Sequence, residues 1–163
     1  MTLNIFNPKF CLSDHLHGSW SAGVVNSFKD NIPVEVAQGV PRLKFGLSSK
    51  SDNDWFCGAL PFNSSWTPVD LTQYKFLNFS FYGDDNICCR IGFKDADDND
   101  SLELDLHQEE KCVEAQECPI SLPINSFRNN VFKPEEGRLL KIVGYNDATF
   151  YISEITLSSE SLV

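Results

Sequence analysis

Good helix formers are scarce in this chain of 163 residues. It has one methionine and little alanine, against 13 Phe and an abundance of Val, Ile, Ser, Thr and Asn. Long helices are therefore disfavoured. Positive charge is also in short supply: 13 Lys+Arg stand against 23 Asp+Glu, a formal net charge of -10 and a pI near 4.6. Duplex nucleic acid and anionic membranes are first bound by basic patches, so neither is expected as a partner. No apolar run is long enough to make a transmembrane helix, so membrane insertion is not expected. Residues Met1–Lys9 carry neither a basic n-region nor an apolar h-region, so no secretory signal is expected here. The chain reads as cytoplasmic if it is full length and as extracellular if it is a module of a longer protein. There is no C-x-x-C for a local zinc site, and no G-x-S-x-G elbow, P-loop or G-x-G-x-x-G.

What is present suffices for a core. Hydrophobic residues make up 42% and aromatic residues 12%, which argues against global disorder. The length suits a single domain, placed at 1–157 with a frayed tail at 158–163. Cys11, Cys57, Cys88, Cys89, Cys112 and Cys118 are too sparse for a stapled mini-domain. They read mostly as free, buried thiols, with Cys112–Cys118 as the best disulfide pair.

Period-2 alternation recurs along the chain. Leu77, Phe79 and Phe81 fall on one face of Phe76–Tyr82. Ile91 and Phe93 fall on one face of Cys89–Lys94, with Arg90 and Lys94 on the other. Leu102, Leu104 and Leu106 oppose Glu103, Asp105 and His107. These are half-buried antiparallel strands. Further strands are expected at Trp20–Phe28, Val34–Ala37, Arg42–Ser48, Trp55–Leu60, Pro119–Pro123, Leu139–Asn146 and Thr149–Leu157. Turns are expected at Gly39-Val40-Pro41, Gly83–Asn86, Asp95–Asp100 and Asn146-Asp147. Asp70 is placed to cap a short helical turn over Asp70–Tyr74. About eight to ten short strands in one domain argue for an all-β, antiparallel sandwich of the jelly-roll kind.

The segments Pro68-Val69-Asp70-Leu71-Thr72-Gln73-Tyr74-Lys75-Phe76-Leu77, Leu122-Pro123-Ile124-Asn125-Ser126-Phe127 and Phe150-Tyr151-Ile152-Ser153-Glu154-Ile155-Thr156-Leu157 occur in that order. Together with Trp55–Ala59 and an Asp-rich hairpin they resemble a carbohydrate-binding module of the galactose-binding-domain-like jelly-roll group, over about two-thirds of the chain. The resemblance implies two sheets, with glycan on the concave face of one. That sheet would contain the strands at Trp55–Leu60, Cys88–Lys94, Leu102–His107 and Leu139–Asn146. It also implies attachment to a catalytic domain and a structural calcium between the N-terminal segment and the closing strand. Asp14, Glu35 and Glu154 are the nearest acids for such an ion, although Ser153 stands where the group typically has an aspartate.

Alternation independently shows which side chains leave the core: Arg90, Lys94, Glu103, Asp105 and His107, with Trp55, Lys141, Val143 and Tyr145 beside them. A sugar site needs an aromatic face for the C–H side of the ring and polar groups for its hydroxyls. Trp55, Arg90, Lys94, Glu103, Asp105, His107 and Tyr145 supply that set. The same charges also fit cross-strand ion pairs on a solvated face. Trp20 and Trp66 have no clear facing. The hairpin Asp95–Ser101 opens like an EF-hand loop, but Asp100 and Leu106 replace the required Gly and Glu, so it reads as a solvated turn. His15 and His17 read as loop surface. A lyase or hydrolase using His107 with Asp105 is the minor enzymatic reading. The main expectation is non-catalytic glycan binding that requires no cofactor. A protein-interaction or assembly module on the same fold is the alternative.

Overall fold

A computed structural model describes residues 1–7, 17–21, 34–45, 55–63, 65–83, 88–107, 117–144 and 150–163, with backbone alone at 17–21, 55, 56, 83, 88 and 107. The strands are β1 (Thr2–Phe6), β2 (His17–Ser21), β3 (Val34–Ala37), β4 (Val40–Phe45), β5 (Trp55–Pro61), β6 (Phe76–Gly83), β7 (Cys88–Asp95), β8 (Leu104–His107), β9 (Cys118–Pro123), β10 (Gly137–Gly144) and β11 (Phe150–Ser158). Short 3-10 turns lie at Leu71–Gln73, Ile124–Phe127 and Pro134–Glu136. No helix among the described residues is long and apolar enough to cross a membrane.

All strand pairings are antiparallel. One sheet has five strands, in the order β2-β5-β10-β7-β8. The other has six: β3-β4-β11-β6-β9, with β1 also on β11. β4 pairs with Phe150–Ile152 and β1 with Ile155–Ser158. A register shift between Ile152 and Ile155 separates the two partners, and such a bulge lets one long strand bend between them.

The alternation seen in the sequence has a physical counterpart. Leu60, Ile91, Phe93, Leu140 and Ile142 of the five-stranded sheet join Phe45, Leu77, Phe79, Phe81, Phe150 and Ile155 of the six-stranded sheet in one buried core. Phe93 and Phe127 rings meet edge-on at 4.8 Å, and Phe81 and Phe150 at 5.4 Å. Each such buried aromatic contributes about 1.5–3 kcal/mol by area alone. Asp70 caps the Leu71–Gln73 turn as expected, accepting Thr72 N–H at 3.0 Å.

Several expectations need correction. The strand expected at Trp20–Phe28 coincides with β2 (His17–Ser21) at Trp20 and Ser21, its remainder at 22–28 lying outside the described residues, and β1 had no counterpart in the sequence reading. The turn before β4 centres on Gln38 and Gly39, both at positive φ, so Val40 and Pro41 already belong to the strand. The strand placed at Leu139–Asn146 is β10, which begins two residues earlier, at Gly137, and is described to Gly144, residues 145 and 146 lying outside the described residues. Leu102 does not share the buried face of Leu106: β8 begins at Leu104, and Leu102 is exposed. Cys118 is disulfide-bonded, whereas Cys57 and Cys89 are buried thiols outside any disulfide; Cys112 lies outside the described residues. The tail is tied down rather than frayed. Ser158 belongs to β11, buried Asn78 donates to the Glu160 carbonyl at 2.8 Å, and Leu162 N–H donates to Ser121 Oγ at 2.8 Å.

Candidate functional site: the outer face of the five-stranded sheet

Residues that alternate out of the core on β5, β10 and β7 lie in cross-strand rows. Ala59 pairs with Lys141, and Lys141 with Gly92; Cys57 pairs with Val143, Val143 with Arg90, and Arg90 with Asp105. Over β5 and β10 this outer face is closed. Cys57, Ala59, Leu139 and Val143 are all buried, although none belongs to the core between the sheets. Val143, expected beside the ligand residues, is therefore not available to a ligand. Over β7 and β8 the face is polar and open. Arg90 Nε donates to Asp105 Oδ1 at 2.8 Å, and both side chains are about half exposed.

The turn after β7 folds onto this face. Asp95 is wholly buried, and its carboxylate organises the turn. Oδ1 accepts the N–H groups of Asp97 and Asn99, both at 2.9 Å. Oδ2 accepts Asn99 Nδ2 at 3.1 Å and Lys133 N–H at 2.9 Å. Burial opposes ionisation of Asp95, but these donors outweigh it and hold the carboxyl below its ordinary value. The expected turn is thus built around a carboxylate that is filled by protein donors.

Beyond the turn, Ser101 exchanges hydrogen bonds with Phe93: its Oγ accepts Phe93 N–H at 2.8 Å, and its N–H donates to the Phe93 carbonyl at 2.9 Å. Ile91 pairs with Leu104 but Lys94 with Asp100, so three steps on β7 match four on the partner segment. That extra residue is a bulge. It brings Glu103 over Gly92, where a Cβ would lie 3.2 Å from Glu103 Cγ and 3.3 Å from Ser101 Oγ.

Lys141, from the centre of the sheet, meets this segment. Its Nζ lies 2.8 Å from both Asp100 Oδ1 and Glu103 Oε1. Lys94 Nζ adds a 3.4 Å contact to Asp100 and donates to the Asp98 carbonyl at 3.0 Å. Burial would lower the Lys141 pKa, but its two carboxylate partners raise it overall. Burial would raise that of Asp100, but Lys141 and then Lys94 pull it down. Burial pushes the Cys57 thiol up to about 11, with Lys141 acting the other way. Arg138 ion-pairs with Asp98, and its guanidinium carbon lies 6.0 Å from the Trp66 ring centroid. Trp66, which had no clear facing in the sequence, thus flanks the turn that closes onto the sheet.

Of the residues expected at the site, the structure brings together Arg90, Lys94, Glu103 and Asp105 with Lys141, which was expected beside them, and adds Asp100. The backbones of Trp55 and His107 lie in β5 and β8, Trp55 paired with Ser21 and His107 with Cys88. Tyr145 and Asp14 lie outside the described residues. Glu35 is engaged by Lys44 at 3.1 Å on the opposite sheet, and Glu154 accepts from Asn7 at 3.5 Å. No group of three or more His, Cys, Asp or Glu placed to hold a metal occurs among the described residues.

Comparison with known proteins gives a family and a fold. The family model described as carbohydrate binding domain 30 matches residues 10–159. No curated protein matches the chain. Among solved structures, a family 30 carbohydrate-binding module is similar over 100% of this chain and 90% of its own, with a TM-score of 0.74 and 22% identity. The family 30 module of the cellulosomal cellulase Cel9D-Cel44B of Clostridium thermocellum is similar over 98% of both chains, with a TM-score of 0.70 and 21% identity. The family 11 module of Clostridium thermocellum, solved with a β-1,3-1,4-mixed-linked tetrasaccharide, covers 98% of this chain and 96% of its own, with a TM-score of 0.63 and 11% identity.

Proposed function

The chain belongs to the carbohydrate binding domain 30 family, whose function is non-catalytic carbohydrate binding, and we propose that it binds a neutral glycan on the outer face of the five-stranded sheet, over β7 and β8. The observation that carries this reading is the exposed Arg90–Asp105 pair beside Lys94 and Glu103. Three cations, Arg90, Lys94 and Lys141, are matched by three carboxylates, Asp100, Glu103 and Asp105. A face balanced in this way offers charge-assisted hydrogen bonds to hydroxyls. It holds no surplus positive charge for a uronate. Trp55, Tyr145 and His107 complete the proposed ligand set, with Trp66 at its end.

Related modules are parts of larger enzymes, as in the cellulosomal cellulase, and attachment to a catalytic domain is part of the same proposal. The disulfide at Cys118 suits an oxidising compartment, which favours an extracellular setting. Binding asks for no cofactor. A structural calcium at Asp14, Glu35 and Glu154 is a separate proposal, supported if calcium raises the melting temperature and a chelator reverses the rise.

Affinity electrophoresis through gels containing soluble glycans tests the function. Retardation by a mixed-linkage β-glucan, weakened in Arg90→Ala and Asp105→Ala, is the expected result. No retardation by any β-glucan, xylan, mannan or galactan would overturn it.

A further inference from the structure

Lys141 holds the polar half of this face in place. It sits at the centre of the sheet with its side chain only 14% exposed, yet its ammonium group reaches two carboxylates of the segment that folds over Gly92. Each carboxylate spends one oxygen on the lysine. Asp100 Oδ2 and Glu103 Oε2 have no hydrogen-bond partner among the described residues, and both side chains are partly open to solvent. Without the cation, the two acids would repel one another and swing on flexible side chains. With it, both carboxylates are held at 2.8 Å from one ammonium group, each with a second oxygen to serve as an acceptor. Two fixed acceptors suit two neighbouring hydroxyl donors, the pattern that a vicinal diol of a pyranose presents.

We infer that Lys141 is the positioning residue of the glycan site, fixing Asp100 and Glu103 to receive a vicinal diol. The inference rests on the binding face proposed above. Lys141 itself is too enclosed to be the main ligand contact. Among the described residues, the ionisable groups around it are Asp100 and Glu103 from the folded-over segment, Cys57 from β5 and Lys94 from β7. Cys57 stays protonated well past neutral pH, so the two carboxylates and two ammonium groups set the local balance. Removing Lys141 takes away the main group that keeps Asp100 ionised in acid.

The test is calorimetric titration with the β-1,3-1,4-mixed-linked tetrasaccharide, run across acidic to neutral pH, with a melting curve for every variant. Asp100→Asn and Glu103→Gln should each weaken binding about tenfold, as expected for one charge-assisted hydrogen bond. Lys141→Met should weaken binding and move its acid loss to higher pH, and Lys141→Arg should restore both affinity and pH profile. A merely structural lysine would alter melting without moving the pH profile. If the wild type binds and Asp100→Asn with Glu103→Gln binds equally well, the positioning role is wrong and the glycan face stands. If Lys141→Met leaves the affinity and pH profile of a folded protein unchanged, the role is likewise wrong. If the wild type binds neither the tetrasaccharide nor any glycan in the gels, the face itself is wrong and the inference falls with it.

Discussion

Asp95 on β7 and Lys133 before the Pro134–Glu136 turn are joined by a backbone bond, Lys133 N–H donating to Asp95 Oδ2 at 2.9 Å. The same carboxylate holds the 96–99 turn, so one buried side chain ties two loops together beside the proposed glycan face. Asp95→Ala should cost about 3 kcal/mol or more, because hydrogen bonds to a charged group contribute about 1.5–3 kcal/mol each. Urea denaturation would measure it. A loss below about 0.5 kcal/mol would contradict the assigned role.

Acid should expose the same residue. The Asp95 carboxyl titrates below its ordinary 3.8 in the folded chain. A depressed carboxyl stabilises the fold above the unfolded value and loses that contribution as pH falls through the folded one. Stability should therefore decline as pH drops below 3.8, with a shallower decline in Asp95→Asn. Urea midpoints measured across this range would reveal the difference in slope.

Gly137 marks a close packing contact. A Cβ there would lie 2.6 Å from both Cγ and Cδ1 of Leu71, while the Gly137 carbonyl accepts Val69 N–H at 2.7 Å. Gly137→Ala should destabilise by about 1–3 kcal/mol, the usual cost of overpacking. The companion change Leu71→Ala makes room, so the double variant should lose less than the two single losses combined. Simple additivity in thermal melts would count against the contact.

The thiols give a chemical check. Cys57 and Cys89 are buried thiols outside any disulfide, and burial pushes Cys57 up to about 11. Thiolate is the reactive form, so Cys57 should not react with a thiol reagent near neutral pH until the protein unfolds, and burial should shield Cys89 from the reagent in the same way. Rapid labelling of Cys57 in the folded protein, read by peptide mass, would show that the outer face is open over β5.

Arg42 offers a stability test away from the proposed glycan face. Its side chain is buried on the six-stranded sheet, where it donates to the Ala37 carbonyl at 3.0 Å, ion-pairs with Glu117 and lies 4.4 Å from the Tyr82 ring centroid. Arg42→Ala should cost about 2 kcal/mol through lost packing and hydrogen bonds without changing glycan affinity. A matching loss of affinity would mean that the two sheets are coupled.

Local alternation was a sound guide wherever a strand pairs regularly. Phe76–Tyr82 and Cys89–Lys94 declared their inward and outward sides, because a two-residue period leaves a half-buried strand one way to face the core. The order of the Val69–Leu77, Leu122–Phe127 and Phe150–Leu157 segments carried the resemblance to carbohydrate-binding modules, and the family match over 10–159 agrees with it. Alternation misplaced Leu102 because a bulge adds a residue opposite β7, and no local pattern announces a register slip. It could not foresee that Val143 is buried, since a two-residue period tells which side of the sheet a residue takes and not how exposed that side is. Nor could it join Asp100 to Lys141, which are 41 residues apart in the chain. That pairing exists only because β10 lies beside β7 and Gly92 leaves space for the returning segment. The amino-acid order thus determined the faces of the strands, whereas the distant pairing of strands decided which polar side chains meet on one of those faces.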